Sequence, residues 1–409
     1  MCAFSAMVFV SVFQLLPAAP YRVLELGGTA ATAGLFLGLL AYSSAFSAPV
    51  TGPIGDRLGH RRVLITVSLT LALFSASYAI IPGYRLLLVV VAVHGLFWSA
   101  LLSSSGAYMT ATIPASRRAE GLSYWGLTSI IALGAAPALG FWVHRFGWEV
   151  LCAEIVALNL VMAAIAWRLP EDILDPGGFA PADPPTRSLA GTPRSPRRSR
   201  GLARAARSLG AVLDPKRLHQ LVEWRVLALS IAMALISFGY GALTSFSALF
   251  ADALQVTPRS LFLTGMAVAV CAGRLLIGRT LDRIGYRRAL LPCLVAPPLG
   301  LLLLAAAQGK MSFLVAAIVF GAGFGLIWPS YTAYVLEHLP ATRRGAAFGA
   351  MLAAFDTGIG TGSSAMGWLV HHFWFRVGFI VAAVIAAFAL PYFLLVERWV
   401  WGRVRSVEN

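Results

Sequence analysis

Apolar residues recur along this chain in runs too long for the buried face of a water-soluble helix. Twelve such runs can be marked, at about 1–19, 29–54, 63–82, 86–113, 119–143, 149–169, 224–250, 259–281, 289–307, 311–338, 345–370 and 375–396. Each is near the ~20 residues that cross the hydrocarbon core of a bilayer. Backbone groups in lipid must bond within their own segment, so the runs predict helices. A barrel would show alternating segments of about ten residues, and these are missing. Composition agrees: 58% of the 409 residues are hydrophobic and 12% are charged, against about 25% charged in soluble domains.

The polar positions then orient the spans. Alternate loops carry Arg57/Arg61/Arg62, Arg117/Arg118, Arg283/Arg287/Arg288 and Arg343/Arg344, and the tail adds Arg398, Arg403 and Arg405. The opposite loops hold one basic residue each: Arg22, Arg85, Arg145, Arg259, Lys310 and Arg376. The positive-inside rule places both termini and the central linker in the cytoplasm, and the expected location is the plasma (inner) membrane. The net charge of +15 is spread over many short loops, which argues against a nucleic-acid partner and for contact with anionic lipid.

Residues 170–223 interrupt the pattern with eight prolines and nine Arg or Lys, and read as a cytoplasmic linker. Two readings stand for Leu202–Val222: a basic amphipathic helix on the inner leaflet, or a solvated tether. The expected organisation is a six-helix bundle over 1–169, the linker, a second bundle over 224–398 and a cytoplasmic tail over 399–409. Met1 opens inside an apolar run without the basic flank of a signal peptide, so span one is expected to be a true span whose marked start falls a few residues late. Cys2, Cys152, Cys271 and Cys293 lie in spans without metal-ligand spacing and read as packing residues. No metal or other cofactor is expected.

One motif is written twice. Gly52-Pro53-Ile54-Gly55-Asp56-Arg57-Leu58-Gly59-His60-Arg61-Arg62 returns as Gly278-Arg279-Thr280-Leu281-Asp282-Arg283-Ile284-Gly285-Tyr286-Arg287-Arg288, an offset of 278 − 52 = 226. The same offset carries Gly95 to Gly321, Tyr108 to Tyr334, Pro114 to Pro340, Gly134 to Gly360 and Trp148 to Trp374. The protein is therefore two copies of one unit, as two-halved transporters are. Chemically the motif suits a conformational latch, formed by Gly52, Asp56, Arg57, Gly59 and Arg61 with Gly278, Asp282, Arg283, Gly285 and Arg287. The first glycine admits a neighbouring helix. The aspartate suits a helix N-terminus, and the arginines suit carboxylates or lipid phosphate.

This loop signature, with twelve spans in a six-plus-six repeat and a long central loop, resembles the major facilitator superfamily. The resemblance implies two pseudo-symmetric six-helix bundles, alternating access and a cavity formed by spans one, four, seven and ten. Gly126, Gly134, Ala136-Pro137 and Gly140 in span five resemble the glycine-proline motif of the family's exporters, with alanine in place of glycine at Ala132 and Ala136. Small residues there allow close packing between halves, with Gly134, Pro137 and Gly140 as interface residues.

Ionisable groups deep in spans are expensive and point to function. Asp356 follows Arg344 by twelve residues, or ~18 Å of helix, which puts it near the membrane centre. Arg274 lies at similar depth and can pair with it, while His94 is near the middle of span four. These three are the coupling candidates; a structural ion pair and a packing histidine are the alternatives. Gln14, Trp98, Tyr108, Tyr240, Trp328, Tyr331 and Tyr334 are the expected cavity residues, a set that suits an amphiphilic organic molecule. The combined expectation is a monomeric, proton-coupled exporter of a small organic compound or drug. Uptake or exchange of a sugar, organic acid or metallophore-like metabolite is the second reading. A membrane enzyme would need a catalytic motif, and neither a zinc-protease helix, a nucleophile elbow nor a phosphate loop is present; a non-transporting sensor would leave the midplane charges dispensable.

Overall fold

The structure is a computed structural model that describes residues 1–113, 118–170, 223–339 and 343–405. Its helices follow the apolar runs. The first half holds α1 (Cys2–Glu25), α2 (Ala30–Leu58), α3 (His60–Ile80), α4 (Tyr84–Thr112), α5 (Arg118–His144) and α6 (Trp148–Arg168). The second holds α7 (Trp224–Ala253), α8 (Leu261–Ile284), α9 (Tyr286–Ala305), α10 (Lys310–Glu337), α11 (Arg344–His372), α12 (Phe375–Ala387) and α13 (Ala389–Arg405). The last two are one span: Phe388 between them still donates to Val384 O and Ile385 O at 3.3 and 3.2 Å. Among the described residues nine helices are long and apolar enough to cross a membrane, and α5 and α8 add the shorter apolar stretches Ile131–His144 and Leu261–Arg274. The linker and its candidate amphipathic helix, 171–222, lie outside the described residues.

Two ends differ from expectation. α1 continues past residue 19 to Glu25, through Pro17 and Pro20, both buried. Each proline removes one backbone bond, but ending the helix inside lipid would strand several groups at once. The helix stops where Gly27 takes φ +81°, and α2 begins at a capping box in which Thr29 and Thr32 exchange side-chain bonds. At the other terminus α13 is helical to Arg405, beyond the expected end of span twelve at 396.

The repeated motif makes the same turn twice. Gly59, between α2 and α3, has φ +88°, and Gly285, between α8 and α9, has φ +89°. L-residues avoid that region, so glycine permits the tight reversal. Elsewhere Arg376 caps α9 by donating to Ala305 O at 3.0 Å and Ala307 O at 2.9 Å, meeting carbonyls the helix end leaves open.

The two bundles meet along a seam where α2 packs on α11, α5 on α8 and α1 on α7. In lipid the hydrophobic effect does not drive helices together, so close approach and hydrogen bonds must. A Cβ on Gly34 would come 3.1 Å from Gly367 Cα across the α2–α11 contact. Ser363 Oγ donates to Gly34 O at 2.7 Å, and Tyr42 Oη donates to Thr361 Oγ1 at 2.9 Å. These contacts lie toward the arginine-poor end. Toward the arginine-rich end, a Cβ on Gly349 of α11 would meet nothing within 4 Å.

Candidate functional site in the seam between the halves

The stretch Ala354–Gly362 lets α11 wedge between two neighbours. Cβ atoms on Gly358 and Gly362 would collide with α7, and one on Gly360 would come 3.1 Å from the Tyr42 ring of α2. On the α7 side, Ser237 Oγ donates to Phe355 O at 2.9 Å. On the α2 side, buried Ser44 donates its hydroxyl to Asp356 Oδ2 at 2.9 Å. The acid from the sequence thus lies on the seam, bonded to the opposite half. A carboxylate offers about four acceptor sites and a protonated acid adds a donor, so a change of protonation rewrites what the seam can bond.

Arg274 is not its partner. Its Nε donates to Gly325 O of α10 at 3.1 Å, and its Nη1 lies 3.8 Å from where a Cβ on Gly126 of α5 would sit. The expected ion pair fails because depth along a helix does not fix direction around it. α8 packs on α5 and α10, whereas α11 packs on α2 and α7. Arg274 still faces the other half, through α5.

Beside Asp356 rings gather into a shelf. Tyr240 of α7 stacks on Phe324 of α10 at 4.6 Å between centroids, and Phe324 lies 6.3 Å from Phe355. Trp328 meets Phe355 edge-on at 5.2 Å and Phe348 at 5.8 Å. Phe324, Trp328 and Phe355 are partly exposed. Of the seven expected cavity residues, Tyr240 and Trp328 belong to this shelf.

The other five are buried, and four of them meet partners inside their own bundles. Gln14 packs on Gly140, where a Cβ would sit 2.5 Å from its own. Trp98, on α4, is buried in the hydrophobic core. Tyr108 donates to Pro170 O at 3.1 Å, and Tyr331 to Ser230 Oγ at 3.1 Å. Tyr334 donates to Glu397 Oε1 at 2.6 Å. Hydroxyls kept out of water need partners, and each of these tyrosines finds one on a helix end or neighbour rather than at the seam.

His94 also points inward. Its Nδ1 shares a 2.7 Å hydrogen bond with Tyr78 Oη, and its ring stacks between Phe74 and Tyr78 at 5.5 and 5.9 Å. It belongs to a polar patch between α1, α3, α4 and α6 that includes Ser11, Ser75 and Asn159. In α5, Gly134 faces Ala267 of α8 across the seam, its added Cβ falling 3.3 Å from the alanine's. Gly140 faces α1 within its own half, and Pro137 lies inside a continuous helix.

In the duplicated motif Gly52 and Gly278 fall within α2 and α8, and the side chains of Asp56, Arg57, Asp282 and Arg283 lie outside what the structure describes. Arg61 bonds Ala166 O and Trp167 O at the end of α6. Arg287 instead holds Glu397 of α13 with two bonds, 2.7 and 2.9 Å. The sequence reading missed Glu397. The signal was available, because the 226-residue offset carries it to Glu171, another acid at the end of a sixth span.

Two tandem six-helix membrane bundles that close on a polar, aromatic seam define a duplicated multi-pass membrane protein with its candidate site between the halves. The chain belongs to the Major Facilitator Superfamily, whose sequence profile matches residues 1–309 and 229–408. An uncharacterised MFS-type transporter of Pseudomonas aeruginosa is 29% identical over 174 residues, 42% of this chain and 43% of that protein. The staphylopine export protein of Staphylococcus aureus is 25% identical over 375 residues, 89% of this chain and 85% of the relative. The crystal structure of a D-xylose–proton symporter superposes with a TM-score of 0.71 at 16% identity, covering 96% of this chain and 95% of that one; that likeness concerns the fold alone.

Proposed function

We propose that the protein is a proton-coupled secondary transporter of the plasma (inner) membrane. It exports a small amphiphilic organic compound by alternating access, with the arginine-rich end facing the cytoplasm. The observation that carries this reading is Asp356: a carboxylate on the seam between two rocking halves, hydrogen bonded to Ser44 of the opposite half at 2.9 Å. An isolated charge at that depth is costly, so proton gain, proton loss and bonding across the seam are linked energetically. The shelf of Tyr240, Phe324, Phe355 and Trp328 supplies an apolar platform, and Arg274 adds a cation beside Gly325. Export is favoured over uptake by the exporter-like glycines of α5, with Gly134 packed across the seam, and by the named export protein that matches most of the chain. The duplicated Asp-Arg motif is assigned to the latch at the arginine-rich end.

The test uses inverted vesicles, a panel of amphiphilic metabolites and an imposed proton gradient. The wild type should accumulate substrate only with the gradient. Asp356→Asn should lose gradient-driven accumulation and keep substrate exchange. Undiminished gradient-driven transport by that variant eliminates the coupling role, and accumulation in right-side-out vesicles instead reverses the direction.

A further inference from the structure

At the arginine-poor end the halves are joined by a small closed network. Tyr21, in the penultimate turn of α1, donates its hydroxyl to Asp252 Oδ2 at 2.8 Å. Asp252 is in the last turn of α7. Its other oxygen, Oδ1, accepts from Arg259 Nε at 2.7 Å. The guanidinium of Arg259, in the connection between α7 and α8, lies 5.1 Å from the Tyr21 ring centroid, so the triangle closes through a cation–π contact. Tyr21 is also held by α5: Phe141 meets its ring edge-on at 5.8 Å, and the His144 ring lies at 6.4 Å. Thus α1 and α5 of one half face α7 and its following loop from the other.

We propose that Tyr21, Asp252 and Arg259 form a gate that keeps the two halves closed at the arginine-poor end, and that its rupture opens the seam on that side. Three features support a gate over plain packing. Both hydrogen bonds of the network end on one carboxylate, which holds Tyr21 of the other half directly and keeps Arg259 against the Tyr21 ring, so loss of that one group loosens both contacts between the halves. The pair is accessible, with Asp252 33% and Arg259 47% exposed, so water can take over its bonds when it opens. Exposed pairs are weak individually, and a contact broken in every cycle has to be weak. The neighbouring bonds of Arg22, to Glu25 at 3.3 Å and Glu149 at 3.8 Å, stay within one half and so carry no gating.

The repeat separates this device from the duplicated motif. The offset of 226 carries Asp252 to Leu26, Arg259 to Ala33 and Tyr21 to Ser247. None is conserved between the halves, so the gate belongs to the contact between two different partners rather than to the common bundle.

Distances between spin labels at Ile80→Cys and Met311→Cys, exposed side chains on opposite halves at this end, test the proposal in the full chain in nanodiscs with the native cysteines replaced. The wild type should populate mainly the shorter distance. Asp252→Asn should shift the ratio of long to short populations about tenfold, and the conservative Tyr21→Phe and Arg259→Gln by roughly threefold each, in line with single exposed polar contacts. The Tyr21→Phe/Arg259→Gln double variant should not exceed Asp252→Asn, and Arg22→Gln should leave the distribution in place. Unchanged populations in Asp252→Asn while the wild type samples both distances would overturn the gate but leave alternating access standing. A single distance in every variant would overturn both.

Discussion

The Arg287–Glu397–Tyr334 cluster gives a prediction in which the two halves of one ion pair are unequal. Glu397 is 10% exposed in its side chain and Arg287 is 47% exposed. Glu397 accepts two bonds from Arg287 and one from Tyr334, at 2.7, 2.9 and 2.6 Å. Arg287→Gln leaves the carboxylate buried with a tyrosine as its chief donor, the situation that costs ~3–5 kcal/mol when a buried pair loses one partner. Glu397→Gln leaves a half-exposed guanidinium that water can solvate, and its amide oxygen still accepts from Tyr334, so the loss should be ~1–2 kcal/mol. A gap of ~2 kcal/mol corresponds to about 4–8 °C in Tm for units of 150–250 residues. Thermal unfolding of the purified protein in detergent, read by size exclusion, measures it. The double variant has no buried charge and should recover much of the loss, with a coupling energy of ~2–3 kcal/mol. Equal single effects, or strictly additive ones, would refute the argument that the stranded carboxylate dominates.

Two further outcomes follow from the backbone and the charge pattern. Gly285→Ala should lower stability by ~1–3 kcal/mol, purely as backbone strain, since its added Cβ meets nothing within 4 Å at φ +89°; an unchanged Tm would show that the turn relaxes freely. Reporter fusions after Arg62, Arg118, Arg288 and Arg344 should all report cytoplasm, and an external signal at any two would reject the proposed orientation.

What the sequence made legible was axial. Run length placed the helices, the offset found the duplication, and counting residues put Asp356 at depth. Direction around each helix was not legible. Asp356 and Arg274 share a height but belong to differently packed helices, so the acid meets Ser44 and the guanidinium meets Gly325 O. The same limit explains Tyr108, Tyr331 and Tyr334, whose hydroxyl partners lie inside their bundles, and Gln14, which packs on Gly140 of its own bundle, all on spans expected to line the cavity. Nearly uniform hydrophobicity erases the amphipathic stripe that fixes rotation in a soluble helix. Glu397 was hidden for another reason: an apolar run ends at its first charge, although the helix continues to Arg405.

The repeat also sorts the polar groups by role. Positions kept in both halves, Gly59 with Gly285, Arg61 with Arg287 and Tyr108 with Tyr334, build turns and helix ends inside each bundle. The groups on the seam diverge. The offset carries Asp356 to Ile130, Ser44 to Val270 and Arg274 to Ala48. Strict duplication would have placed a second serine–carboxylate pair symmetrically across the seam. Each extra ionisable group at that depth costs several kcal/mol, and two nearby carboxylates would disturb each other's protonation. In the proposed mechanism one acid is enough to link a proton to the closing of two halves, and the matching position, Ile130, is apolar. Divergence alone does not mark the seam, because His94, held inside its bundle by Tyr78, also diverges, to Phe320; it is divergence together with a bond or approach to the opposite half that sets Asp356, Ser44 and Arg274 apart from the scaffold.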